Sequence, residues 1–189
     1  MGVRRRWLTR EIVVQTAMEM ADEGGDANAV TLTDVARALG VRTPSLYNHV
    51  DGIDDLRQAM ALFDANELCR SIEQATAGLL GREALLAVAT VYRRFARCHP
   101  GVYALTIRAP EPDEAELTAA ANRLLQVLLL LLASLGLEGN VALHTIRGLR
   151  SLLHGFVSLE AAEGFKMALD HDASYMRVVG IYLDGLGIR

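Results

Sequence analysis

The chain has 189 residues, 51% apolar and 22% charged, with net charge −4. That is enough apolar material for a packed core and too acidic for a protein that coats nucleic acid over its whole surface. Two cysteines, Cys69 and Cys98, exclude a disulfide framework and a CxxC motif and fit a reducing, cytoplasmic setting.

The chain opens with the cluster Arg4-Arg5-Arg6 and has no apolar stretch of signal-peptide form behind it. Thr9 is placed to cap a first helix over about 9–23, with Ile12, Val13, Ala17 and Met20 as its apolar stripe. Gly24-Gly25 ends it. A second helix over about 32–39 has Thr31 as N-cap and Asp34 three residues on, close to a capping box. Leu32, Val35 and Leu39 face inward, Gly40 ends the helix, and Val41 plugs the turn. A short third helix follows, with Thr43 as N-cap, Pro44 at the first helical position, and only Leu46 and Val50 as anchors. Asp51-Gly52 breaks it.

Long helices over about 54–77, 82–98, 113–135, 139–163 and 170–185 complete an all-α chain, with turns at "HPG" (99–101) and "VYALTIRAPEPD" (102–113). The run at 124–137 is the only membrane-like stretch. Gln126 interrupts it, and it is shorter than the ~20 apolar residues a span requires. It reads as a helix buried in a bundle, and no membrane partner is expected. The expected organisation is an N-terminal three-helix helix-turn-helix domain, 1–52, followed by a larger helical ligand-binding and dimerisation bundle, 53–189.

Residues 31–50, "TLTDVARALGVRTPSLYNHV", have the layout of a helix-turn-helix. Ala36 is small where two helices cross, Gly40 turns the chain, and the second helix is short enough to lie in a major groove. With Leu46 and Val50 holding that helix down, Thr43, Pro44, Ser45, Tyr47, Asn48 and His49 remain on its start and outer face. Hydroxyls and a helix N-terminus suit phosphate oxygens. Asn pairs with adenine, and a Pro ring or Thr methyl touches a thymine methyl. A merely solvated helix would carry Glu, Lys and Ala instead. Residues 1–50 are also less acidic than the rest, with six arginines against six acids.

"LTREIVVQTAMEMADEGG" followed by "TLTDVARALGVRTPSLYNHVDGIDDL" resembles the DNA-binding domain of TetR-family transcriptional regulators. "HPGVY" (99–103) and "LLHGFVSLE" (152–160) resemble one subgroup of that family's C-terminal domains, marked by an HG motif. The resemblance implies a homodimeric repressor on a palindromic double-stranded operator, released by a small-molecule effector held in the C-terminal bundle. It implies DNA contacts from Thr43, Pro44, Ser45, Tyr47, Asn48 and His49, and phosphate contacts from Thr31, Thr33 and Arg42. The sequence departs from the family where a lysine often opens the fourth helix: here stand Ile53, Asp54 and Asp55. Two acids there favour a helix N-terminus but repel DNA. The arm carrying Arg4 and Arg5 is the expected compensation, through the minor groove.

In the C-terminal part, Gly148, Ser151, Gly155, Ser158 and Ala162 recur at helical spacing, and small residues let another helix approach closely. With Tyr175, Val178, Val179, Tyr182 and Leu186 of the last helix they fit a two-fold interface, or else both faces pack within one chain. His144, Arg147 and His154 form a polar strip beside that column, and two readings stay open, a pocket wall or hydrogen bonds across the dimer. Phe63, Tyr92, Phe95, Tyr103 and Phe156 could wall an apolar effector cavity or serve as plain core. No cofactor and no metal is expected: Cys98-His99 is adjacent rather than spaced, and His144 and His154 are ten apart. No phosphate loop, nucleophile elbow or carboxylate pair beside a histidine supports an enzyme. A DNA-binding dimer without ligand response is the alternative reading, and an α-helical enzyme using His144 or His154 as base is the remoter one.

Overall fold

The computed structural model describes residues 8–188. Among them the chain is all-α, with no strand. The helices are α1 (Arg10–Gly24), α2 (Leu32–Leu39), α3 (Ile53–Thr76), α4 (Gly81–Cys98), α5 (Pro100–Tyr103), α6 (Ala115–Ala133), α7 (Gly139–Ala161) and α8 (His171–Gly185). Short 3-10 helices lie at Ala27–Ala29, Thr43–Asn48 and Ala104–Thr106. Two compact units are present. The first comprises the described residues up to Ala65 with His99–Ala109; the second comprises Asn66–Cys98 and the described residues from Pro110 onward.

The first unit is built on local signals. Thr9 caps α1 by accepting the Ile12 N–H at 3.3 Å, and Gly25 ends it at φ +73, a left-handed conformation that favours glycine. The buried stripe of α1 is Val13, Val14, Ala17, Met18 and Ala21. Ile12 and Met20, expected in it, sit at its edges and are only half-buried. Val35, Ala36, Leu46, Val50, Leu56 and Met60 complete one core with α1, against which Leu32, Leu39, Val41 and Ile53 pack.

The "HPG" segment does more than stop a helix. Pro100–Tyr103 forms α5 where the sequence predicts a turn. Its free N–H groups are met from α1: Asp22 Oδ1 accepts from Gly101 N–H (3.0 Å) and Val102 N–H (3.3 Å), while His99 Nδ1 lies 3.0 Å from Asp22 Oδ2. Asp22 thus caps α5 from elsewhere in the chain, as a local N-cap side chain would. Val102 is fully buried in the first core.

The second unit has two clusters. One joins Leu85, Ala89, Leu132, Leu149, Leu153, Tyr175, Val179 and Leu183; the other joins Leu68, Ile72, Val88, Val91 and Phe95. In α6, Leu117, Ala120 and Leu132 are buried, but Leu130 is 72% exposed. The expectation of a bundle-buried helix is corrected: α6 is apolar on more than one side, and its own chain covers only part of it. At 19 residues it is long and apolar enough to cross a membrane by length and composition alone. Gly148 faces into its own unit, where a Cβ would overlap the Tyr182 hydroxyl that donates to the Thr145 carbonyl at 2.9 Å. Gly155, further along the same small-residue column, has open space at its Cβ position.

Candidate nucleic-acid interface

Thr31 and Asp34 fold α2 as the sequence predicts. Thr31 Oγ1 accepts the Asp34 N–H at 3.2 Å and donates to the Asp34 carboxylate, whose pKa is lowered chiefly by that hydroxyl. Gly40, at φ +67, donates its N–H to the Ala36 and Arg37 carbonyls, and the Val41 N–H reaches the Ala36 carbonyl at 3.0 Å. This left-handed stop turns the chain into the next segment.

That segment is a 3-10 helix, Thr43–Asn48, rather than an α-helix. Arg42 holds the N-cap position, Thr43 being the first helical residue, and no side chain caps the start. Six residues, one of them a proline without N–H, leave little room for α-type bonds. The observed ones include Ser45 N–H to Arg42 carbonyl (2.9 Å) and His49 N–H to Leu46 carbonyl (2.8 Å), with one longer loop from Val50 N–H to Leu46 carbonyl. Leu46 is 0% and Val50 2% exposed, and both sit in the first core. Opposite them, Arg42, Pro44, Tyr47 and Asn48 are exposed, while Thr43, Ser45 and His49 are half-buried. Tyr47, at 57% exposed, is a large aromatic without cover. Thr31 and Thr33 of the α2 start are exposed as well. Arg4 and Arg5 lie outside the described residues.

The acids that depart from the family pattern are not equivalent. Asp55 is engaged by Arg10, whose guanidinium donates to both carboxylate oxygens at 2.7 and 2.6 Å, and it also accepts the Asp51 N–H at 2.8 Å. The Arg10 hydrogen bonds lower its pKa, outweighing partial burial. Asp54 is 95% exposed, with Arg57 3.5 Å away.

The residues singled out for an effector are divided. Phe63 (47% exposed) and Tyr103 (9%) belong to the first unit. In the second unit, Tyr92 and Phe156 pack against the Leu85–Leu183 cluster and Phe95 lies in the neighbouring one. His144 and Arg147 are exposed and His154 half-buried, with the Ser158 hydroxyl near its ring. Among the described residues no group of three or more His, Cys, Asp and Glu is gathered as for a metal.

Sequence reasoning missed the strongest polar cluster of the second unit. Arg93, 8% exposed at its side chain, donates to Glu160 through Nε (2.9 Å) and Nη2 (2.7 Å) and pairs with Asp172 at 2.8 Å. Its guanidinium lies over the rings of Phe156 (5.5 Å) and Tyr175 (4.9 Å). Phe165 of the α7–α8 connection meets Phe156 at a tilt and His171 edge-on. Tyr175 donates its hydroxyl to the Ala89 carbonyl at 2.7 Å, and burial pushes its pKa up. A signal was available: Arg93 follows Leu85 and Ala89 at i+4 steps, which places it on the apolar face of α4.

Comparison with known proteins accords with this architecture. Residues 85–182 match the family model "Tetracyclin repressor-like, C-terminal domain". The chain is 36% identical to the HTH-type transcriptional regulator Rv0681 of Mycobacterium tuberculosis over 174 residues, 91% of this chain and 78% of that one. It is 33% identical to the HTH-type transcriptional regulator YobS of Bacillus subtilis over 182 residues, 96% of this chain and 94% of that one. The structure of a single-residue variant of TetR from Acinetobacter baumannii AYE in complex with minocycline shares the fold, with a TM-score of 0.68 at 19% identity over 96% of this chain and 97% of that one. A helix-turn-helix with a polar, outward-facing second element, joined to a C-terminal region that the family model matches, identifies the chain as a member of the TetR family of DNA-binding transcriptional regulators.

Proposed function

We propose that this regulator is a cytoplasmic, homodimeric repressor that leaves a palindromic operator when a small apolar molecule binds its second unit. The observation that carries the reading is the Thr43–Asn48 segment, with Leu46 and Val50 buried and Pro44, Tyr47 and Asn48 turned outward. In it Tyr47, Asn48, Pro44 and Thr43 read base edges, Ser45 and His49 assist, and Thr31, Thr33 and Arg42 hold phosphates. Arg4 and Arg5 reach the minor groove. Since one such unit reads a half-site, two are needed at a separation of ~34–36 Å.

The face of α7 that carries Val141, His144, Arg147, Ser151 and Ser158 is exposed, which supports the dimer reading of the polar strip over the pocket reading. On α8, Met176 and Ile181 are exposed as well. Effector contacts fall to Tyr92, Phe95, His154 and Phe156. "LLHGFVSLE" lies inside the matched region and supports the HG-motif subgroup.

Response to an effector requires that it favour the conformation that does not bind DNA. The chain passes between units within α3 and directly before His99, and residues 99–102 are fastened to α1 by Asp22. The test is fluorescence anisotropy on a duplex from the gene's own upstream region, with a library of small aromatics first screened by thermal shift. A compound that raises the melting temperature is expected to weaken operator binding at least ~10-fold, a coupling of about 1.4 kcal/mol. If stabilising compounds all leave operator affinity unchanged, the sensor half of the reading is wrong.

A further inference from the structure

The recognition segment is short, and its start is held by the Gly40 stop and by Val41 of the turn. Its two buried anchors, Leu46 and Val50, lie along one line, and rotation about that line would sweep Tyr47 and Asn48 across neighbouring bases. A fixed point at its other end, away from the line, removes the freedom that remains. Arg10, the first residue of α1, supplies it. Its Nη1 donates to the His49 carbonyl at 2.8 Å, just past the end of the segment. The same guanidinium holds Asp55 in the first turn of α3 through two bonds of 2.7 and 2.6 Å. Asp55 in turn accepts the Asp51 N–H at 2.8 Å, in the link between segment and helix. Four bonds thus tie the start of α1, the end of the segment and the start of α3 around one planar group, and a two-pronged Arg–carboxylate pair fixes direction as well as distance.

We propose that Arg10 and Asp55 are positioning residues for DNA reading: a clamp that sets the angle of the Thr43–Asn48 segment and thereby operator selectivity, without touching DNA. The inference rests on the DNA-reading role proposed above for that segment. It also gives the acidic start of α3 a use. The charge of Asp55 is matched by Arg10 and only Asp54 faces solvent outright.

The test uses the full-length protein with two duplexes, the operator and a scrambled sequence of equal length, each titrated across a salt series. Arg10→Lys keeps the charge and loses the fork; Asp55→Asn keeps the shape and loses the charge. Both are expected to weaken operator binding about tenfold, the scale of lost charge-assisted hydrogen bonds. Scrambled-duplex affinity and the slope of log K against log salt should stay as in the wild type, and amide exchange at residues 47–50 should quicken. Three results would overturn the clamp. Operator affinity unchanged in both variants removes it. Equal losses on both duplexes with a slope shallower by about one make Arg10 a phosphate contact instead. Tighter binding of both duplexes by Asp55→Asn makes the acid a repulsive charge only. A wild-type protein that prefers neither duplex, nor any other, overturns the DNA-reading role itself and the clamp with it.

Discussion

Gly101→Ala is expected to lower the melting temperature of the whole chain by roughly 6–12 °C, from a cost of about 3 kcal/mol. The reason is a collision of backbone with side chain that no rotamer relieves: a Cβ at Gly101 would overlap the carbonyl of Ala21 and crowd the Asp22 nitrogen. Helix α5 must then lift from α1. The bonds from Gly101 and Val102 N–H to Asp22 stretch or break, and Val102 leaves a core in which it is fully buried. Gly24→Ala is the control, because its Cβ meets open space and its backbone is not left-handed. Circular dichroism melts of the two variants check the prediction. An unchanged Gly101→Ala melt would mean that α1 and α5 do not approach as described.

The second large effect belongs to Arg93 and Glu160. Removing one member of a buried, hydrogen-bonded pair leaves the other charged and poorly solvated, at a cost of ~3–5 kcal/mol. Asp172, 73% exposed, remains for Arg93 when Glu160 is changed, so Glu160→Gln is expected at the lower end and Arg93→Met at the upper. The double variant should lose clearly less than the sum of the two, because the pair is coupled. Additive losses in urea titrations would contradict the pairing. A pH dependence follows from the same contact. The Arg93 hydrogen bonds hold Glu160 below the ordinary carboxylate range, against a smaller opposing contribution from partial burial. A carboxylate with a depressed folded-state pKa contributes stability that is full above its unfolded pKa and lost as the pH falls through the folded value. Wild-type stability should therefore decline in acid more steeply than that of Glu160→Gln, and parallel curves would count against it.

The contrast between Asp22 and Thr31 shows how much of this molecule is legible in the sequence. Thr31, Thr9 and Gly40 act on residues three or four positions away, and Gly25 acts through its own backbone, so the starts and ends of α1 and α2 are readable from neighbouring letters. Asp22 acts on residues 77 or more positions later, and no local pattern announces α5. The buried anchors of the recognition segment follow from their spacing, whereas its 3-10 form does not. Six residues beginning Thr-Pro suit either helix, and the choice falls to the packing of Leu46 and Val50. Asp55 is a similar case. Read alone, it is a negative charge facing DNA; only the fold brings Arg10 to it across 45 positions. Apolar content misleads in α6, where a run of leucines implies burial and the chain leaves Leu130 open. Gly148 and Gly155 look alike in sequence, yet one admits Tyr182 of its own unit and the other admits nothing.

The central claim is that the outward side chains of Thr43–Asn48 read base edges, and selection from a pool of random duplexes by the purified protein tests it most directly. The account predicts enrichment of an inverted repeat with half-site centres about one helical turn apart. It further predicts that Asn48→Ala enriches a repeat degenerate at one symmetric pair of positions, with discrimination there lower by ~1–3 kcal/mol. A pool that stays unenriched, or the same repeat recovered with equal strength by Asn48→Ala and Tyr47→Ala, would contradict it.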